Sequence, residues 1–122
     1  MTKIYCDGST TNVCFIIGKQ KPIVKPAIDE ATKVTVNEGE WYALIHALQE
    51  AKKQGIKNVE IKTDSETVVR WLTGVYRTKD QRMTNFKILV WSMLQWFDSA
   101  RVTHVKREDN LAGIILEKGE GK

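Results

Sequence analysis

Two cysteines, two prolines and the absence of any apolar run approaching the roughly 18 residues of a membrane span set the first bounds on this chain. Cys6 and Cys14 stand in apolar, strand-like surroundings without CxxC or Cys/His spacing. That argues against a zinc site or a redox pair, and the two are read as buried free thiols. The opening MTKIYCDGS lacks the long apolar stretch of a secretory signal, so a cytoplasmic protein without membrane association is expected. Internal repeats, low-complexity tracts and linkers are also missing. A chain of 122 residues with 42% hydrophobic content accommodates one core, so a single domain spanning residues 1–122 is expected. Charge of one sign is only mildly in excess: 19 Lys and Arg against 15 Asp and Glu give +4, compatible with a polyanionic partner without requiring one.

What is present is periodicity. Lys3 to Cys6 and Val13 to Ile17 are apolar and β-branched around the turn-forming Asp7-Gly8-Ser9-Thr10-Thr11-Asn12, which predicts two strands joined by a hairpin-like loop. A third strand is expected over Ile23 to Ile28, at a sheet edge because Pro22 and Pro26 cannot donate to a central ladder. From Glu38 the spacing turns helical, with Trp41, Leu44, Ile45, Leu48 and Ala51 on one face and Gly55 at the stop. Val59 to Thr63 alternates as a strand, and Ser65 offers a cap to a short helix carrying Val68, Val69 and Leu72. Thr84 to Phe97 carries an apolar stripe wide enough to predict a largely covered helix, with Trp91 and Trp96 in the core. A last strand over Val102 to Val105 leads, on this reading, straight into a tail that frays from Glu117. Meandering strands followed by strand-helix crossovers imply a mixed sheet covered by helices.

Three carboxylates fall at element ends: Asp7 after the first strand, Glu40 in the first turn of the first helix, and Asp64 after the fourth strand. Each has a purely structural reading. Asp-Gly is a common turn, Asn37-x-x-Glu40 resembles a capping box, and Asp64-Ser65 caps the next helix. Together they allow more, because neighbouring parallel strands ending in Asp beside a helix beginning with Glu can aim three carboxylates into the crevice at the strand ends. Clustered carboxylates repel one another unless a cation joins them. Hard oxygen ligands suit Mg²⁺ or Mn²⁺, and two such ions about 3.5 to 4 Å apart serve phosphodiester hydrolysis.

The runs Ile4-Tyr5-Cys6-Asp7-Gly8-Ser9, Thr35-Val36-Asn37-Glu38-Gly39-Glu40-Trp41, Ile61-Lys62-Thr63-Asp64-Ser65 and Val102-Thr103-His104-Val105-Lys106-Arg107-Glu108-Asp109-Asn110 follow one another over nearly the whole chain. In order and spacing this succession resembles the type 1 ribonuclease H family, in a short prokaryotic or phage-type form. The resemblance implies an α/β ribonuclease H-like fold: a five-stranded mixed sheet of order 3-2-1-4-5 with helices on both faces. It implies endonucleolytic cleavage of the RNA strand of RNA/DNA hybrids by two Mg²⁺ or Mn²⁺ ions, in a monomer with no obligatory protein partner. It makes Asp7, Glu40 and Asp64 the catalytic metal ligands. It sets Gly8, Ser9, Asn37 and Ser65 near the hybrid's minor groove, where small polar groups reach 2′-hydroxyls. Thr35 matches a DNA-phosphate contact, and Asn12 is expected to serve similarly.

The pattern breaks in two places. The family's fourth carboxylate, in an Asn-x-x-Ala-Asp run, is replaced here by Asn110-Leu111-Ala112-Gly113-Ile114. The missing side chain falls on Gly113 or Ile114 according to the alignment, with Glu117 or Asp109 as candidate substitutes. The basic protrusion of longer relatives is abbreviated, leaving Arg77, Lys79, Arg82 and Lys87 beside Trp71 and Tyr76, a mixture that suits phosphate contact and equally a solvated linker face. His104, inside a strand, is expected to be structural. These gaps keep a second function in play, a catalytically weakened hybrid-binding protein on the same fold. A resolvase or integrase is disfavoured by the TxNxxE context.

Overall fold

The structure, a computed structural model, describes residues 1–74 and 80–121. Five strands, β1 (Thr2–Gly8), β2 (Asn12–Ile17), β3 (Ile23–Pro26), β4 (Asn58–Thr63) and β5 (Ser99–His104), form one sheet of order β3-β2-β1-β4-β5. β2 runs antiparallel to both β1 and β3, whereas β4 pairs parallel to both β1 and β5, which makes the sheet mixed. β3 is a short edge strand, as the two prolines require, and ends at Pro26 rather than at Ile28.

Four α-helices complete the chain: α1 (Val36–Lys53), α2 (Glu66–Leu72), α3 (Gln81–Leu94) and α4 (Leu111–Gly121), with a 3-10 turn at Arg107–Asp109. Strand alternation sorts the side chains. Ile4, Cys6, Val13, Phe15 and Ile17 pack with Trp41, Leu44, Ala47, Leu48 and Ala51 of α1 in the main core. Cys14 and Ile16 project to the opposite face and meet Ala112 and Leu116 of α4. Cys6 and Cys14 are free and buried. Among the described residues no helix is long and apolar enough to cross a membrane.

Where the sequence reading and the structure differ, tertiary packing is the reason. The helix α4 runs on through the tail expected to fray from Glu117: Gly113 and Gly119 lower its intrinsic propensity, but burial of Ala112 and Leu116 against β2 holds it in place. Trp91 and Trp96 are not core, being 42% and 43% exposed. α3 lies at the flank of the domain, so only Met83, Val90 and Met93 of its wide stripe are buried. Trp91 Nε1 donates to the Leu72 carbonyl at 3.0 Å, and the Lys87 ammonium sits 4.5 Å above its ring. The capping box of α1 is formed by Thr35 and Glu38, not Asn37 and Glu40: the Glu38 amide donates to Thr35 Oγ1, and the Thr35 amide to Glu38 Oε1. Glu40 is thereby left free of a capping duty.

Candidate active site

The three carboxylates come from three elements. Asp7 lies in β1 opposite Cys14, Glu40 is on the second turn of α1, and Asp64 follows the last residue of β4. Each offers an oxygen, and these oxygens all lie within 4.8 Å of one another. Two glycines make this approach possible. A Cβ on Gly8 would overlap the Gly39 carbonyl, and one on Gly39 would overlap the carbonyl of Ser9, so the end of β1 and the start of α1 meet backbone against backbone.

Hydrogen bonds fix the carboxylates' surroundings. The Ser65 hydroxyl caps α2 by accepting from the Val68 amide at 3.2 Å, and its side chain bonds Glu40. Asn110, fully buried just before α4, donates through Nδ2 to the Cys6 carbonyl at 3.0 Å and to Asp64 Oδ2 at 3.2 Å. Arg107, on the 3-10 turn, places Nη1 3.8 Å from Asp64 Oδ2 and Nη2 4.0 Å from Glu117 Oε2. With Asp7, Gly8, Ser9, Val36, Glu40 and Leu116, Arg107 and Glu117 line a crevice of about 310 Å³.

The electrostatics are those of an anionic cluster held out of water. Burial, then the charges of Asp64 and Glu40, push the Asp7 carboxyl up to about 7, against the opposing pull of Arg107 and the Gly8 amide. Glu40 is also raised, by burial first and then by Asp64, while its bond from Ser65 and the charge of Arg107 act the other way. The buried thiol of Cys6 feels the same field and is driven well above the usual thiol range, chiefly by desolvation. An all-oxygen donor set with surplus negative charge fits a divalent hard cation.

Of the other residues picked out from sequence, Gly8 and Ser9 line the crevice itself. Ser9 Oγ also accepts from the Thr11 and Asn12 amides, which braces the loop into β2. Asn12 opens β2, Thr35 is the N-cap of α1, and Asn37 in its first turn bonds Met83 Sδ at 3.3 Å; these three do not line the crevice. Arg77 and Lys79 lie outside the described residues. Arg82 pairs with Glu38 at 2.6 Å and is committed to joining α3 to α1. His104 ends β5 and is exposed. Sequence reasoning missed the roles of Arg107 and Asn110, although both stand in the quoted final run. A cation and an amide in a short connection carry no signal until the turn folds back on β1.

A family model described as reverse transcriptase-like matches residues 6–116. The chain belongs to this family. Within it, the chain is similar to Ribonuclease HI of Halobacterium salinarum, with 34% identity over 88 residues, 72% of this chain; it spans 44% of that relative's length. The solved RNase H1 of the same archaeon superposes with a TM-score of 0.84 at 25% identity, covering 99% of this chain and 98% of that one. LC11-RNase H1, solved in complex with an RNA/DNA hybrid, superposes at 0.76 with 22% identity, covering 91% and 89%. The ribonuclease H-like fold and the short form read from the sequence are borne out.

This reverse transcriptase-like chain carries no side chain where the fourth carboxylate was sought. Gly113 is the α4 position that faces the cluster: a Cβ there would lie 3.3 Å from Asp7 Oδ2 and 3.4 Å from Asp64 Oδ2. Glu117, one turn on, reaches the same crevice, whereas Asp109 is exposed and does not line it.

Proposed function

We propose that this chain is a metal-dependent endoribonuclease that hydrolyses the RNA strand of RNA/DNA hybrids. The observation that carries the reading is the convergence of Asp7, Glu40 and Asp64 from three elements into one cluster, with ligand oxygens within 4.8 Å. The likeness to Ribonuclease HI and to hybrid-bound LC11-RNase H1 supports the choice of substrate.

In this reading Asp7, Glu40 and Asp64 hold two Mg²⁺ or Mn²⁺ ions, which supply an activated water and stabilisation of the leaving oxygen. The rest is done by the protein. Ser65 and Asn110 hold Glu40 and Asp64 in place. Gly8 and Ser9 present backbone and a small hydroxyl at the crevice wall, suited to 2′-hydroxyls in a wide minor groove. Asn12, Thr35, Asn37 and Ser65, with Arg77 and Lys79 beyond α2, extend the contact along the hybrid. Arg107, the cation of the crevice wall, is placed to neutralise a phosphate drawn toward the carboxylates.

A labelled RNA/DNA hybrid incubated with Mg²⁺ or Mn²⁺ tests this directly. RNA-strand cleavage that disappears in Asp7→Asn is expected; a hybrid left intact with either ion overturns the assignment. The bare Gly113 position favours one alternative, a weakened hybrid-binding protein. Its signature is binding of the hybrid with no turnover at saturating metal.

A further inference from the structure

The far end of the sheet carries a second concentration of charge. The β2–β3 turn is clasped to the end of α1 by a reciprocal amide pair, Gln20 Nε2 to Gln54 Oε1 at 2.7 Å and Gln54 Nε2 to Gln20 Oε1 at 3.0 Å. Lys19 and Lys21 flank Gln20, while Lys52 and Lys53 precede Gln54 in the last turn of α1. Lys57 follows after the Gly55 turn, its carbonyl accepting from the amides of Asp98 and Ser99. All five lysines are exposed, and no ion pair among the described residues engages them. The nearby acids are Glu50, whose carboxylate accepts from Gln54 Nε2, and the exposed Asp98. At the crevice end, by contrast, Arg82 and Arg107 are both paired with carboxylates.

A solvated helix end explains only part of this. Lys52 and Lys53 complement the α1 dipole, but the turn and the loop before β4 bring three more lysines beside them. Lys53 lies about 20 Å along α1 from Glu40 at 1.5 Å per residue, so a ligand held here leaves the crevice open.

We propose that Lys19, Lys21, Lys52, Lys53 and Lys57 form a second binding site, for the phosphate backbone of a nucleic acid held without regard to sequence. Lysines are flexible point charges, suited to phosphates and not to base edges. Asn58, whose Oδ1 accepts from Ser99 Oγ, adds its amide nitrogen beside Lys57 as a neutral donor to phosphate oxygens. No aromatic ring stands among these residues to stack a base. A lipid surface is the poorer fit, because α1 turns Ala47, Leu48 and Ala51 into the core and offers no apolar face to insert.

The test uses a DNA duplex, which is no substrate for the proposed hydrolysis, so its outcome is independent of that activity. Duplex binding is measured by fluorescence anisotropy across a salt series for three proteins: wild type, K19Q/K21Q/K52Q/K53Q/K57Q, and a control that removes charge elsewhere, K25Q/K33Q/R101Q/K118Q. Since each contacted phosphate contributes about 0.9 to the slope of log K on log salt, the cluster variant is expected to lose about 3 to 4 from it. The control is expected to lose far less per charge, and the cluster variant to keep the wild-type rate on a short hybrid. The proposal is overturned if wild type does not bind the duplex, if the slope is unchanged in the cluster variant, or if both variants lose equally per charge, which would mean net charge alone. Loss of binding to phosphatidylserine vesicles with duplex binding retained would also overturn it.

Discussion

Gly113 packs against Asp7, so close that a Cβ on the glycine would touch both Asp7 Oδ2 and Asp64 Oδ2. Of the two positions that the alignment leaves open, Gly113 is thus the one whose side chain would meet the carboxylates, and the two acquire different expected outcomes. Gly113→Asp is expected to tighten Mg²⁺ binding, read by calorimetry, and to raise the Mg²⁺-dependent cleavage rate. It is also expected to lower the metal-free melting temperature, because a further anion enters a repelling cluster. Ile114→Asp is expected to do neither of the first two. Equal gains from both variants would contradict the facing assigned to Gly113.

Asp7 makes the metal-free protein sensitive to pH. Its carboxyl titrates near 7 in the folded state against 3.8 for the ordinary group, so the folded state binds the proton more tightly. The stability so gained is fully present below about pH 4 and is lost as pH rises through about 7, on the order of 4 kcal/mol at most. Melting temperatures in a chelator are therefore expected to fall between pH 5 and pH 8. Asp7→Asn should flatten that fall, leaving the variant more stable than wild type at pH 8 while abolishing cleavage. Addition of Mg²⁺ at pH 8 should restore the wild type and leave the variant unchanged. A variant as pH-sensitive as wild type would place the effect elsewhere.

Arg107 competes with any cation for Asp64 and lowers the carboxyls of Asp7 and Glu40. Arg107→Ala is expected to tighten Mg²⁺ binding in the absence of hybrid and yet to slow cleavage about 10- to 100-fold, the loss of one charge-assisted contact. Binding calorimetry and steady-state kinetics measure the two halves separately. Slower cleavage accompanied by weaker metal binding would make Arg107 a support of the metal site and not a phosphate contact.

The approach of Gly39 to the Ser9 carbonyl predicts that Gly39→Ala destabilises by about 2 to 3 kcal/mol or more and spreads the carboxylates. Gly119→Ala provides the opposite sign. A Cβ there meets nothing within 4 Å, so a helical alanine is expected to stabilise by about 0.5 to 1 kcal/mol. Thermal unfolding of the two variants side by side distinguishes local crowding from a general intolerance of glycine substitution.

Period-2 and helical patterning, the edge prolines and the punctuation by Gly55 and Ser65 were enough to place β1 to β5 and α1 to α3, because alternation and capping are local properties. The family succession further identified Asp7, Glu40 and Asp64 as a group. The sequence by itself could not decide the fate of α4, where two glycines oppose the helix and only burial of Ala112 and Leu116 on β2 secures it. Nor could it decide that Trp91 and Trp96 face outward, since an apolar stripe does not say how much of it a neighbour covers. The capping pair Thr35 and Glu38, the Gly39 approach, and the meeting of Arg107, Asn110 and Gly113 with the carboxylates all depend on distances between segments far apart in the chain. The carboxylates were written in the sequence, but the cation, the amide and the empty position around them were set by α4 folding back across β1 and β2.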